Sequence, residues 1–136
     1  MNGEYSYLDV AREDLRVAGV LSQMKEGNHL VRLCQQYAEK MLKACIMQFG
    51  SAERDTLLLH THNVRRLAEK CAELKGIVFS KEEVAYFRAL TEYYFDTNYP
   101  GVDYTRVTAE EAAEVYAETL HFQEKYEVLL TQRQDR

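Results

Sequence analysis

Apolar residues return along this chain every three or four positions, the interval at which an α-helix brings side chains back to one face. Leu8, Ala11, Leu15, Ala18 and Leu21 form the first such stripe, which predicts a helix from about Glu4 to Glu26. Gly27 stops it, and Asn28 is placed to cap the next. The second helix is expected from about His29 to Phe49, with Leu30, Cys34, Tyr37, Ala38, Met41 and Cys45 along one side. Its other side carries Arg32, Gln36, Glu39, Lys40 and Lys43, which reads as a mostly basic outer face. A third stripe of Val64, Leu67, Cys71 and Leu74 predicts a helix that begins near Thr61 to Asn63 and ends at Gly76.

The last two helices announce their starts. In Ser80-Lys81-Glu82-Glu83 and again in Thr108-Ala109-Glu110-Glu111, a hydroxyl can accept the amide three residues on while the glutamate reaches back to the hydroxyl residue's own amide. Val84, Phe87, Leu90 and Tyr94 make the buried stripe of the first, which Asn98-Tyr99-Pro100-Gly101 ends. Val115, Phe122, Tyr126 and Leu129 carry the other to about Thr131. No segment alternates at period two, so no sheet is expected. The fold class is therefore all-α, an antiparallel up-and-down bundle of about five helices.

Composition narrows the class further. A chain of 136 residues suits one domain, taken as 1–136, and 46% hydrophobic with 29% charged residues is the balance of a globular protein. No run approaches the roughly 20 apolar residues of a membrane span, and the N-terminus is acidic where a secretory signal would be basic and then apolar, so a cytoplasmic protein without a membrane partner is expected. Cys34, Cys45 and Cys71 are odd in number and sit at helical period among apolar residues, as reduced core thiols would. The net charge of −5 argues against a protein that coats nucleic acid, although residues 28–75 hold eight bases against five acids and are the one net basic third.

Phosphate loops, metalloprotease pairs, nucleophile elbows and acidic metal loops are missing from the sequence, so no catalytic residue, metal ligand or cofactor is assigned. His60-Thr61-His62 stands where a helix begins, without further ligands at ligand spacing, and a capping or partly buried structural role outweighs a catalytic or metal one. The basic face of the second helix, together with Arg65, Arg66, Lys70 and Lys75, has the donors and charge to hold a phosphate, against the simpler reading of a solvated face. Glu110, Glu111, Glu114, Glu118, Glu124 and Glu127 give the last helix an acidic excess that would suit contact between subunits. Tyr93, Tyr94 and Tyr99 are placed to stack on a base, though core and rim roles are the commoner use of tyrosine.

Taken together, these segments resemble the HEPN family (higher eukaryote and prokaryote nucleotide-binding domains) through nearly the whole chain. Ala11-Arg12-Glu13-Asp14-Leu15-Arg16-Val17-Ala18 is similar to the family's opening stretch. Cys34-Gln35-Gln36-Tyr37-Ala38-Glu39-Lys40-Met41-Leu42-Lys43-Ala44 resembles its most recognisable block, a Gln-Ala-Glu-Lys-like run leading into Leu-Lys-Ala. Thr61-His62-Asn63-Val64 resembles its Thr-His-Asn-Leu helix start, and Thr97-Asn98-Tyr99-Pro100-Gly101 its Arg-Tyr-Pro turn. Asn98 stands where many relatives have arginine, and a neutral amide does not replace a bidentate cation.

The resemblance implies a homodimeric helical module that binds a nucleotide or works beside a minimal nucleotidyltransferase, often as half of a toxin and antitoxin pair. On that reading Lys40, Lys43, Arg65 and Arg66 hold a phosphate-bearing ligand, with His62 and Tyr99 nearby. Two alternatives stand beside it. One is a metal-independent ribonuclease using Arg54 and His60, which have the family's arginine-to-histidine spacing but lie between the second and third helices and not in a late one. The other is a structural subunit whose dimer surface docks a nucleotidyltransferase.

Overall fold

Ser6 caps the first helix. Its hydroxyl accepts the Asp9 amide while the Asp9 carboxylate accepts the Ser6 amide, both at 3.1 Å. The computed structural model describes residues 6–24, 27–51, 53–98 and 107–132. They form α1 (Tyr7–Ser22), α2 (Asn28–Phe49), α3 (Thr56–Leu59), α4 (Val64–Lys75), α5 (Lys81–Asn98) and α6 (Ala109–Thr131), with no strand among them.

The expected caps are present at Ser80, where the Glu83 carboxylate accepts the Ser80 amide at 2.8 Å, and at Thr108, whose hydroxyl accepts the Glu111 amide at 3.1 Å. Asn63 caps α4 by accepting the Arg66 amide at 3.1 Å, and Gly76 ends that helix at φ +65°, a left-handed conformation that favours glycine. Two expectations need correction. Asn28 does not cap α2; as its first residue it accepts the Val107 amide at 2.7 Å and so pins the start of α2 to the segment before α6. Gly27 serves the same junction, since a side chain there would collide with the Val107 carbonyl. The link between the second and third expected helices holds the one-turn α3, set by the buried Asp55, whose carboxylate accepts the Ser51 amide at 2.8 Å and lies 3.5 Å from Lys70 Nζ on α4. That brings the described helices to six. The Tyr99-Pro100-Gly101 stop lies outside the described residues.

α2 runs through the middle, with α1, α4, α5 and α6 all packed on it. Leu30, Val31, Tyr37, Met41, Leu42 and Ile46 along it are fully or almost fully buried, and each such side chain stabilises the fold by about 1.5–3 kcal/mol. This placement narrows the expected basic outer face, because Arg32, Gln36 and Lys40 lie on a partly exposed strip of α2 while its other two charged members are covered. Glu39 and Lys43, expected outside, are 3% and 5% exposed. α5 and α6 run antiparallel and meet through rings, with Phe87 and Phe122 edge to face at 5.3 Å, and Phe79 just before α5 meets Tyr126 at 5.0 Å. No helix among the described residues is long and apolar enough to cross a membrane.

Candidate functional site

Gln35, Glu39 and Lys43 follow one another at intervals of four on α2, so their side chains stack along one line of the helix. Gln35 Nε2 donates to Glu39 Oε1 at 2.8 Å, and Lys43 Nζ donates to Glu39 Oε2 at 3.0 Å. A charge pair so deeply placed pays a large desolvation cost and persists only when its donors and acceptors are met. Here a third partner arrives from outside the helix, since His62 Nδ1 lies 3.0 Å from Glu39 Oε1. Burial alone would raise the Glu39 carboxyl, but the hydrogen bonds from Lys43, Gln35 and His62 outweigh it and hold the group below the usual carboxylate range.

His62 belongs to the extended stretch just before α4, where the Asn63 amide donates to Thr61 Oγ1 at 3.2 Å and Asn63 in turn caps the helix. Its ring lies flat on Tyr94 of α5, with centroids 4.4 Å apart and planes 17° from parallel. The His62 side chain is 45% exposed, against 4% for Glu39. The site therefore runs from a dry carboxylate to a wet imidazole. With Nδ1 committed to Glu39, Nε2 has no partner among the described residues. In the neutral ring Nε2 accepts a proton from a ligand hydroxyl, and in the protonated ring it donates to an anion.

The other sequence candidates are distributed unevenly around this centre. Arg65 and Arg66 follow His62 by three and four residues on the first turn of α4, with Arg65 Nη1 3.8 Å from Glu69 and Arg66 exposed. Lys40 is turned to α1, where its Nζ lies 3.2 Å from Asp14 Oδ2 and also bonds Gln36. Tyr99 lies outside the described residues. Arg54 Nε sits 3.6 Å from Asp55, and His60 is exposed at the end of α3. Gln35 and Glu39 were not among the candidate ligand residues, and Tyr94 was named only as a ring placed to stack on a base. The signal for the first two was the four-residue spacing of Gln35, Glu39 and Lys43, a ladder that neutralises itself and so tolerates burial.

Among the described residues no cluster of three or more histidine, cysteine or acidic side chains is arranged for a metal. The three cysteines are free and buried, and burial pushes the Cys34 thiol up to about 12.

Glu39 and His62 come from two of the blocks that carry the family resemblance, the one centred on α2 and the one that opens α4. No curated protein and no solved structure matches the chain significantly. The family model of the HEPN domain matches residues 5–126, and the chain belongs to that family.

Proposed function

We propose that this chain is a nucleotide-binding module whose ligand lies on the His62–Tyr94 stack. The observation that carries this reading is a half-exposed imidazole, already stacked on a tyrosine, whose inner nitrogen is fixed to a buried carboxylate. A purine or pyrimidine would lengthen that stack, and aromatic stacking is worth roughly 1–3 kcal/mol per base. Phosphates would reach Arg65, Arg66 and His62 Nε2. The first turn of α4 carries these two arginines and no acid, so an anion there is favoured by the helix dipole as well as by the side chains. Lys43 contributes through Glu39, by holding the carboxylate that orients the imidazole, and Tyr99 follows five residues after Tyr94. Binding is favoured over RNA cleavage because Arg54 is turned to Asp55 and, among the described residues, His60 has no such carboxylate behind it.

Calorimetric titration with ATP, GTP and AMP tests the reading. The wild type should release or absorb heat on binding at least one of them below millimolar concentration. Arg65→Ala with Arg66→Ala, and separately His62→Ala, should each weaken binding by about tenfold or more, equivalent to about 1.4 kcal/mol. Absence of heat with every nucleotide at millimolar concentration, or unchanged binding by His62→Ala, overturns it.

A further inference from the structure

On the side of α5 away from α4, the seam with α6 is open. The two helices are each anchored on α2 and reach one another through side chains: Lys125 Nζ meets Glu83 at 2.9 Å at one end, and Tyr86 Oη meets Thr119 Oγ1 at 2.8 Å further along. Between them lies a cavity of about 330 Å³ with a floor of Tyr86 and Phe122 and a rim that includes Glu82, Ala117, Glu118 and His121. That volume is at the lower end of ligand-sized cavities, roughly 300–1,000 Å³, and holds one large side chain more readily than a cofactor.

The walls are negative. Glu82, Glu92, Glu114 and Glu118 have no cationic partner among the described residues. Burial and then the neighbouring Glu114 raise the Glu118 carboxyl above its usual range. Burial first, and then Glu111, Glu114, Glu118 and Glu92, raise the Tyr93 phenol, which places that ring among four carboxylates further along the same seam. From Glu82 to Glu92 the helix rises about 15 Å, so the acidic walls extend well beyond the cavity.

We propose that this seam docks a basic amphipathic helix of a protein partner, one apolar side chain filling the cavity over Tyr86 and Phe122 while flanking lysines or arginines meet Glu82, Glu114 and Glu118. An apolar floor between unpaired acids selects against the alternatives: phosphate backbones and anionic lipid surfaces are repelled, and an uncharged helix leaves the carboxylates without partners. A second copy of this chain is a poorer match, because a two-fold contact through this seam would set Glu82, Glu114 and Glu118 against their own copies.

The probe is a synthetic peptide of about 15 residues, near the length at which an isolated helix becomes marginally stable, built of lysine, alanine and leucine around one phenylalanine. Fluorescence anisotropy with the full chain should show saturable binding that weakens as salt is raised. Glu82→Lys with Glu118→Lys should weaken it by at least about tenfold, and Ala117→Leu, which fills the cavity, should remove the advantage of phenylalanine over alanine in the peptide. Glu118→Gln offers a milder variant should charge reversal disturb folding, and it should weaken binding in the same direction. No binding by the wild type, equal binding of the alanine peptide, or indifference to the glutamate substitutions overturns the proposal. So does a dimer in sedimentation that Glu82→Lys with Glu118→Lys disperses, which would assign the seam to a second copy. Nucleotide titration of the same variants should be unchanged, because His62 and Tyr94 lie on the seam between α4 and α5.

Discussion

Glu39 and Glu127 are both carboxylates taken almost wholly inside the bundle, and both are satisfied, yet by different kinds of partner. Glu127 on α6 accepts the buried Tyr37 hydroxyl at 3.0 Å and the Arg12 guanidinium at 3.2 Å, tying α1, α2 and α6 together. Its outer partner, Arg12, is 48% exposed and offers a planar guanidinium that reaches water. Glu39 is held by a lysine as dry as itself, and its outer partner is a half-exposed histidine whose ring is stacked on Tyr94. The first arrangement fixes helices. The second does so too, but it also delivers a chemically versatile group to the surface.

Removing the two carboxylates should separate these roles most strongly. Glu39→Leu leaves the Lys43 ammonium buried without a counter-charge, and should cost about 3–5 kcal/mol. Glu127→Leu leaves the Tyr37 hydroxyl unpartnered but lets Arg12 turn to water, and should cost about 1–3 kcal/mol. Urea denaturation of the two variants measures the difference. Adding Lys43→Met to Glu39→Leu should recover most of the lost stability, because a buried pair exchanged for apolar side chains is often neutral, while nucleotide binding stays weak for want of the acceptor that orients His62. If Glu127→Leu proves the more damaging, the dry ion pair is not the element that makes this centre costly to break.

The acid limb of stability gives a smaller effect with a defined sign. The Glu39 carboxyl is held lower in the folded chain than in the unfolded one, so its contribution is complete above the unfolded value, near pH 4.3, and is lost as pH falls through the folded value. Asp9 and Glu13 are also lowered, by hydrogen bonds from Ser6 and from Arg16, and contribute in the same direction. The wild type should therefore lose stability steadily below about pH 4. The Glu39→Leu, Lys43→Met variant should lose it less steeply, by the share that belongs to Glu39. Parallel acid limbs in thermal unfolding would show that this carboxylate titrates alike in both states.

Much of the fold was legible because its boundaries are set locally. Gly76 needs a left-handed backbone, and Ser80 and Thr108 each find their glutamate three residues on, so these limits could be read from neighbouring residues alone. The central position of α2 was not legible in this way. Periodicity sorts residues by polarity around a helix and assigns every charged position to water, but Glu39 and Lys43 neutralise each other and then meet His62, which lies 23 positions beyond Glu39. Tyr94 is placed by the sequence as a ring to stack on a base, and its actual partner depends on how α5 lies against the start of α4. Lys43 and His62 were thus named for their charge and donors, whereas the carboxylate joining them was assigned to the solvated side.

Lys40 and Lys43 draw the same distinction at its finest. Three residues apart on α2, they read alike as phosphate-binding cations in the sequence, but Lys43 is sealed against Glu39 while Lys40 spans to Asp14, with 23% of the Lys40 and 20% of the Asp14 side chain exposed. Water still reaches the Lys40 pair, so its loss should cost no more than about 1 kcal/mol. Lys40→Ala should accordingly shift the unfolding midpoint only slightly and leave the heat of nucleotide binding at the wild-type value, because the proposed ligand site lies toward α4 and α5 rather than α1. A tenfold loss of affinity in Lys40→Ala, at unchanged stability, would move the phosphate to the seam between α1 and α2 and leave the His62–Tyr94 stack without its assigned role.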